Sequence, residues 1–188
     1  MSSARDPGEV AAEVLERLRA ALRSNPNQMT MQVARRFGVP EVEVIRAMPD
    51  GRSVELDASR WEPIFRAFEP LGKVHVIVSN GSVTCEVIGA FGGFSTTGEF
   101  FNVQSGSLDL HIRWQRLAAI FAVEKPGHLD TSDPADGHAQ RRGTLSVQFY
   151  DQDGNAALKV FLHFSGICSP ERHSAFEALK QRFSEPSA

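Results

Sequence analysis

Apolar residues at Val10, Val14, Leu15, Leu18 and Leu22 recur at the spacing of one helical face, with Glu16, Arg17 and Arg19 turned elsewhere. This predicts an amphipathic helix over 10–22. Thr30 is placed to cap a short helix running to Phe37, and Gly38 to end it. Pro40 sits where a first-turn proline opens the next helix, to Ala47. Trp61, Ile64, Phe65 and Phe68 form another helical stripe, closed near Pro70 and Gly72.

After Gly72 the period drops to two. Val74, Val76 and Val78 alternate opposite Val83, Cys85 and Val87 across Asn80-Gly81, which predicts a β-hairpin. Further strands are predicted at 108–114, 117–123, 144–150 and 157–164, the last two joined by Asp151-Gln152-Asp153-Gly154. Residues 127–142 are polar, rich in Asp, Ser, Pro and Gly, and read as a mobile inserted loop. Ser169 as cap and Pro170 in the first turn open a final helix to about Phe183.

The pattern gives an α+β class: N-terminal helices, a large antiparallel β-sheet and a C-terminal helix. It is read as one domain over 1–188, with a helical module at 1–50 and the antiparallel sheet with helices at 51–188. Hydrophobic residues at 41% and charged ones at 23% fit a globular chain and exclude disorder and coiled coil. The polar start and the lack of a long apolar run predict a cytoplasmic protein with no membrane association. Cys85 and Cys168 are too few for a disulfide framework and are expected to be packing residues. A net charge of −3 argues against nucleic acid, whose affinity comes from clustered Lys and Arg.

Several short segments, in order, carry a resemblance: Val33-Ala34, Glu43-Val44 to Met48-Pro49, Gly72-Lys73-Val74, Phe100-Phe101-Asn102-Val103, His111-Ile112-Arg113, Lys125-Pro126 and Leu158-Lys159-Val160-Phe161-Leu162. Through them, over about 15–183, the chain resembles the haem-utilisation cytosolic carriers of the HutX and ChuX type. The resemblance implies that family's fold, a homodimer, and haem or a related tetrapyrrole as cargo, held in a cleft without catalysis. The chain departs from the family at three places. Phe100 stands where members commonly carry Tyr, Ser79 where some carry a second His, and His163-Phe164 where a Gly-Arg is frequent. Two candidate iron ligands and one cation are thereby removed.

A haem carrier needs an axial donor, an apolar slot and cations near the propionates. On the strand 108–114, alternation turns Leu108, Leu110, Ile112 and Trp114 one way and Asp109, His111 and Arg113 the other. His111 is the expected iron ligand, with Arg113 as propionate partner. Phe94, Phe100 and Phe101 are the candidate apolar walls, and Gly89-Ala90-Phe91-Gly92-Gly93-Phe94 reads either as a flexible rim or as a wide turn with two core anchors. His75 and His163 lie on strand faces as conceivable second ligands. His128 and His138, among Asp130, Asp133 and Asp136, offer no rigid ligand spacing.

No nucleophile-base pair, zinc helix motif or phosphate loop occurs at useful spacing, so the chain is read as a non-enzyme; Glu86, Glu99 and Asp109 are scattered carboxylates whose convergence sequence does not place. The rival reading is DNA binding or a structural role, because 31–48 reads as helix, turn, helix. Pro40-Glu41-Val42-Glu43 would set two carboxylates against phosphates, which disfavours a recognition helix.

Overall fold

The computed structural model describes residues 11–126, 143–163 and 168–184. Three helices come first: α1 (Ala12–Ser24), α2 (Thr30–Phe37) and α3 (Glu41–Arg46). Their apolar stripes meet in a small core of Leu18, Leu22, Val33, Ala34, Val44 and Ala47. Gly38 ends α2 in the left-handed region at φ 65°, a conformation that favours glycine. Two caps differ from expectation. Thr30 is the first helical residue, its hydroxyl bonded to Glu41 instead of to its own helix, and Pro40 stands at the N-cap of α3.

The other face of α3 is also covered. Val42 and Ile45 pack on Phe121, Val123 and Tyr150, and the Val42 N–H donates to the Gly154 carbonyl. A recognition helix presents its N-terminal end to a groove. Here that end is buried against the body of the protein, so the helix-turn-helix pattern is a packing module.

The remaining elements are β1 (Ser53–Leu56), α4 (Trp61–Arg66), β2 (Lys73–Ser79), β3 (Thr84–Ala90), β4 (Phe94–Thr97), β5 (Phe100–Gln104), β6 (Asp109–Ile112), β7 (Leu117–Lys125), β8 (Thr144–Asp151), β9 (Ala156–Leu162) and α5 (Pro170–Ser184). Six strands form one sheet in the order β1-β7-β8-β9-β2-β3, and β4-β5-β6 form a second. Every ladder among the described residues is antiparallel. The large antiparallel sheet forms as expected, and a second, smaller one accompanies it, because the chain turns at Phe91–Gly93 before β4 begins. Gly93 holds φ 68°, and a Cβ there would lie 1.9 Å from the Gln104 carbonyl oxygen. This is the wide-turn reading of the glycine-rich stretch, with Phe91 as a buried anchor.

The hairpin forms where predicted, with a longer loop. Val76 pairs with Val87 and Val78 with Cys85, while Val83 drops into the turn and is exposed. The cause is Asn80, whose side-chain oxygen accepts from the Ser82 and Val83 N–H groups and closes the loop two residues wider. Cys85 is exposed on β3, contrary to its expected packing role, while Cys168 packs against the core.

The main core lies between the two sheets and under α4 and α5. Val74, Val76, Val147, Phe149, Leu158, Val160 and Leu162 face Phe101, Val103 and Leu108 across it. At its centre Phe65 stacks on Phe149 at 4.3 Å and on Phe101 at 5.6 Å, with Trp61 edge-on to Phe101 at 5.1 Å and stacked on Trp114 at 4.9 Å. From α5, Phe176, Leu179 and Phe183 close the core, and Arg172 bonds the carbonyls of Leu71 and Lys73. Phe65→Ala removes the ring that touches both sheets, and should cost about 3–5 kcal/mol. Urea unfolding checks this; a loss below about 1 kcal/mol would show that the cluster does not hold the sheets together.

Candidate functional site

Alternation on the small sheet decides which side chains meet. Phe101 and Val103 on β5, Phe94 on β4, and Leu110 and Ile112 on β6 turn toward the main core. Their neighbours Phe100, Asn102, Ser95, Thr97, Asp109 and His111 share the outer face. His111 and Phe100 are thus brought together, with ring centres 6.2 Å apart and edge-on. The Arg113 guanidinium lies over the Phe100 ring at 5.1 Å and 3.5 Å from Glu99. Phe101 and Phe94 are on the opposite side of the same sheet: Phe101 is fully buried, and Phe94 stacks on it at 5.6 Å. They are core anchors behind the face that carries His111, and not walls beside it.

His111 is exposed, yet its ring is held. Asn102, at 5% exposure, offers Oδ1 to His111 Nδ1 at 2.8 Å, while its Nδ2 donates to Ser95 Oγ at 3.1 Å and Thr97 Oγ1 at 3.3 Å. With the amide in this orientation the neutral imidazole carries its proton on Nδ1 and turns the lone pair of Nε2 outward, as a metal-ligating histidine requires. Asp109 Oδ1 lies 3.6 Å from Nε2. Asn102 has no charge and no distinctive spacing, so its orienting role was missed; the one signal was a polar residue between apolar strand positions.

A groove of about 320 Å³ adjoins this face, lined by Val78, Leu110, His111, Ile112, Arg113, Arg116, Leu117, Asp151, Ala157 and Leu158. It supplies an apolar floor with a histidine and two arginines at its edge. Neither His75 nor His163 lines it. His75 pairs with Glu86 at 2.9 Å on the large sheet, and His163 sits where β9 meets β2. Of the three scattered carboxylates, Glu99 and Asp109 flank Arg113 and His111, while Glu86 lies elsewhere. His128, His138 and Phe164 lie outside the described residues.

A second, larger cleft of about 930 Å³ runs between α2 and the outer face of the six-stranded sheet. It shares Val78, Asp151 and Ala157 with the groove, so the two depressions meet. Its lining includes Lys125, Lys159, Glu41, Ile77, Phe161 and Met29. Ser79 is here, bonded to Thr84 Oγ1 at 2.9 Å.

A profile for Haem utilisation ChuX/HutX matches residues 54–179. The chain belongs to the haem utilisation ChuX/HutX family. Solved structures agree in fold. A protein from Agrobacterium tumefaciens is 25% identical, with 95% of this chain and 99% of that one covered and a TM-score of 0.74. The heme binding protein ChuX is 22% identical over 88% of this chain and 97% of its own, with a TM-score of 0.72. The Escherichia coli O157:H7 heme degrading enzyme ChuS is 20% identical, covered over 93% of this chain but 48% of its own, with a TM-score of 0.68. No curated protein matches the sequence.

The family profile begins after the three N-terminal helices, so it spans both sheets, the His111 face and most of α5. The helical module adds one wall of the larger cleft and, through the Gln28 carbonyl, meets Lys125 of β7. Burial pushes the Lys125 ammonium down to about 8, aided by the nearby Lys159 charge and opposed by Glu41. The folded chain therefore holds this proton less tightly than the unfolded one, whose value is 10.5. Protonated Lys125 opposes folding at neutral pH, and stability rises as pH climbs from about 8 toward 10.5. Replacing it by Met should stabilise the protein at neutral pH, with an advantage that shrinks across that interval. Urea midpoints of both proteins at several pH values check this; a pH-independent difference would contradict it.

Proposed function

We propose that the protein is an intracellular, non-catalytic haem carrier that ligates iron through His111. The observation that carries this reading is the Asn102-held imidazole, whose Nε2 faces outward beside an apolar groove with Asp109 3.6 Å away. Family membership supports haem as the cargo, and the described residues fit it: a ligand, the flat Phe100 ring beside that ligand, and cations at Arg113 and Arg116 on the groove. Phe100 cannot ligate, so the chain supplies one axial ligand and leaves the other position to water or a neighbouring histidine. Arg113 faces a propionate while shared with Glu99 and open to water, which limits its contribution to about 1 kcal/mol. Phe94 and Phe101 act from behind, by fixing the strand that presents Phe100 and Asn102.

Among the described residues no helix is long and apolar enough to cross a membrane. We further infer a homodimer, as in carriers of this type; among the described residues β3 is an unpaired sheet edge that exposes Ile88, with Val83 exposed in the turn before it. Sedimentation at micromolar concentration should give twice the chain mass, and a clean monomer would contradict the dimer.

Titration with haemin should give a saturable Soret band that His111→Ala abolishes or weakens by about tenfold or more. Phe100→Tyr should tighten binding and add phenolate character to the ferric spectrum. An unchanged band and affinity in His111→Ala would remove His111 as ligand. Conversion of haem to an open-chain pigment with a reductant would make the protein an enzyme.

A further inference from the structure

Alternation on β7 carries one carboxylate to the rim of the core. Val123 turns toward α3, while Ile120 and Ala122 meet the main core and Glu124, next on their side, reaches the place where α5 closes it. On α5 the residues Phe176, Leu179 and Phe183 are buried. Beside that apolar stripe His173, Glu177 and Lys180 follow one another at helical spacing, in a single row of the helix surface. Strand and row meet at Lys180, whose Nζ donates to Glu124 Oε1 at 2.8 Å and to Glu177 Oε1 at 2.7 Å. One donor atom from each of Glu124, His173 and Glu177 lies within 4.8 Å of the other two.

A third donor and a built-in cation set this cluster apart from a solvated pair of carboxylates. Among the described residues the His173 ring takes no hydrogen bond, so an imidazole nitrogen is left over beside the two carboxylates. Those carboxylates come from a strand and a helix and repel each other; the Lys180 ammonium, on a side chain 20% exposed, holds them together. Its two partly exposed ion pairs are individually weak, and its flexible stem lets it swing out. A doubly charged ion in its place meets both carboxylates and the imidazole at once. Three atoms no more than 4.8 Å apart share a centre at most about 2.8 Å from each, so side-chain shifts of about 0.7 Å reach the roughly 2.0–2.2 Å of zinc ligation. One imidazole nitrogen, two carboxylate oxygens and a fourth position open to water make a zinc-type donor set, whereas magnesium and calcium favour oxygen alone.

We propose that Glu124, His173 and Glu177 form a divalent-metal site of zinc type, with Lys180 as the competing cation that closes it when no ion is bound. The ion ties α5 to β7 in place of the two ion pairs, at the edge of the core that α5 covers. The site is separate from the haem reading and does not rest on it. His111 belongs to β6 on the small sheet, and neither the groove beside it nor the larger cleft is lined by any of these four residues.

The test titrates zinc chloride, by calorimetry, into the full chain freed of metal with a chelator and kept free of haem. The wild type should show a zinc site that His173→Ala, at an exposed position, weakens by about tenfold or more, and that Glu177→Gln weakens as well. Lys180→Met should do the opposite and tighten zinc by about tenfold, because it removes the competing ammonium. A purely structural role for Lys180 would not produce tighter binding. Magnesium should not displace the zinc. Zinc affinity unchanged in His173→Ala, or not raised in Lys180→Met, overturns the site, and so does displacement by magnesium, which marks an acidic patch only. If Lys180→Met fails to fold, His173→Ala and Glu177→Gln decide it, and unchanged affinity in both overturns the site. Haemin titration of His173→Ala should match the wild type; a lost Soret band there would assign His173 to haem and overturn a separate site. Failure of the zinc titrations alone leaves the His111 reading standing.

Discussion

Everything placed at the candidate iron site depends on one packing constraint, the burial of Phe101 and Val103 against the aromatic cluster around Phe65. A strand has a period of two, so fixing those two residues inward fixes Phe100 and Asn102 outward. Pairing of β5 with β6 then sets His111 opposite Asn102, and pairing with β4 brings Ser95 opposite it from the other side. A slip of one residue would bury the histidine and expose a phenylalanine. The chemistry of the outer face is therefore a consequence of the core behind it, and the buried phenylalanines serve it without touching a ligand.

The larger cleft has a different origin. On the large sheet, β7 is apolar on both faces: Ile120 and Ala122 meet the main core, while Phe121 and Val123 meet α3. This pins the helical module over β7 and β8 and leaves Ile77, Lys159 and Phe161, farther across the same face, under a gap. The Lys159–Glu41–Thr30 contacts tie the module to the sheet across that gap. A buried pair of this kind gains little net energy over an apolar substitute, yet losing one partner leaves an uncompensated buried charge. It sets where the module docks more than how strongly.

Much of this was legible in the sequence, because most elements carry strong periodicity. The five helices, the Asn80 hairpin and β6 to β9 follow from spacing together with cap, proline and turn residues, and alternation on 108–114 separated His111 and Arg113 from Leu110 and Ile112. Strands β1, β4 and β5 did not emerge. They are four or five residues long; two sit beside glycines, and β5 mixes aromatics on both faces, so no period stands out. Phe94, Phe100 and Phe101 look equivalent as letters, and only pairing shows that one faces out. The outward amide of Asn102 and the proximity of Lys125 to Lys159 are tertiary facts, made by strands that are neighbours in the sheet but distant in the chain.

The central claim is that the outer face of the small sheet, and not the helix-covered face of the large one, holds iron. A crystal structure of the haemin complex, with iron located by its anomalous scattering, tests it most directly. The account predicts iron at coordination distance from His111 Nε2, with Asn102 still bonded to Nδ1. Iron found over the sheet face beneath α2, with His111 unligated, would contradict it.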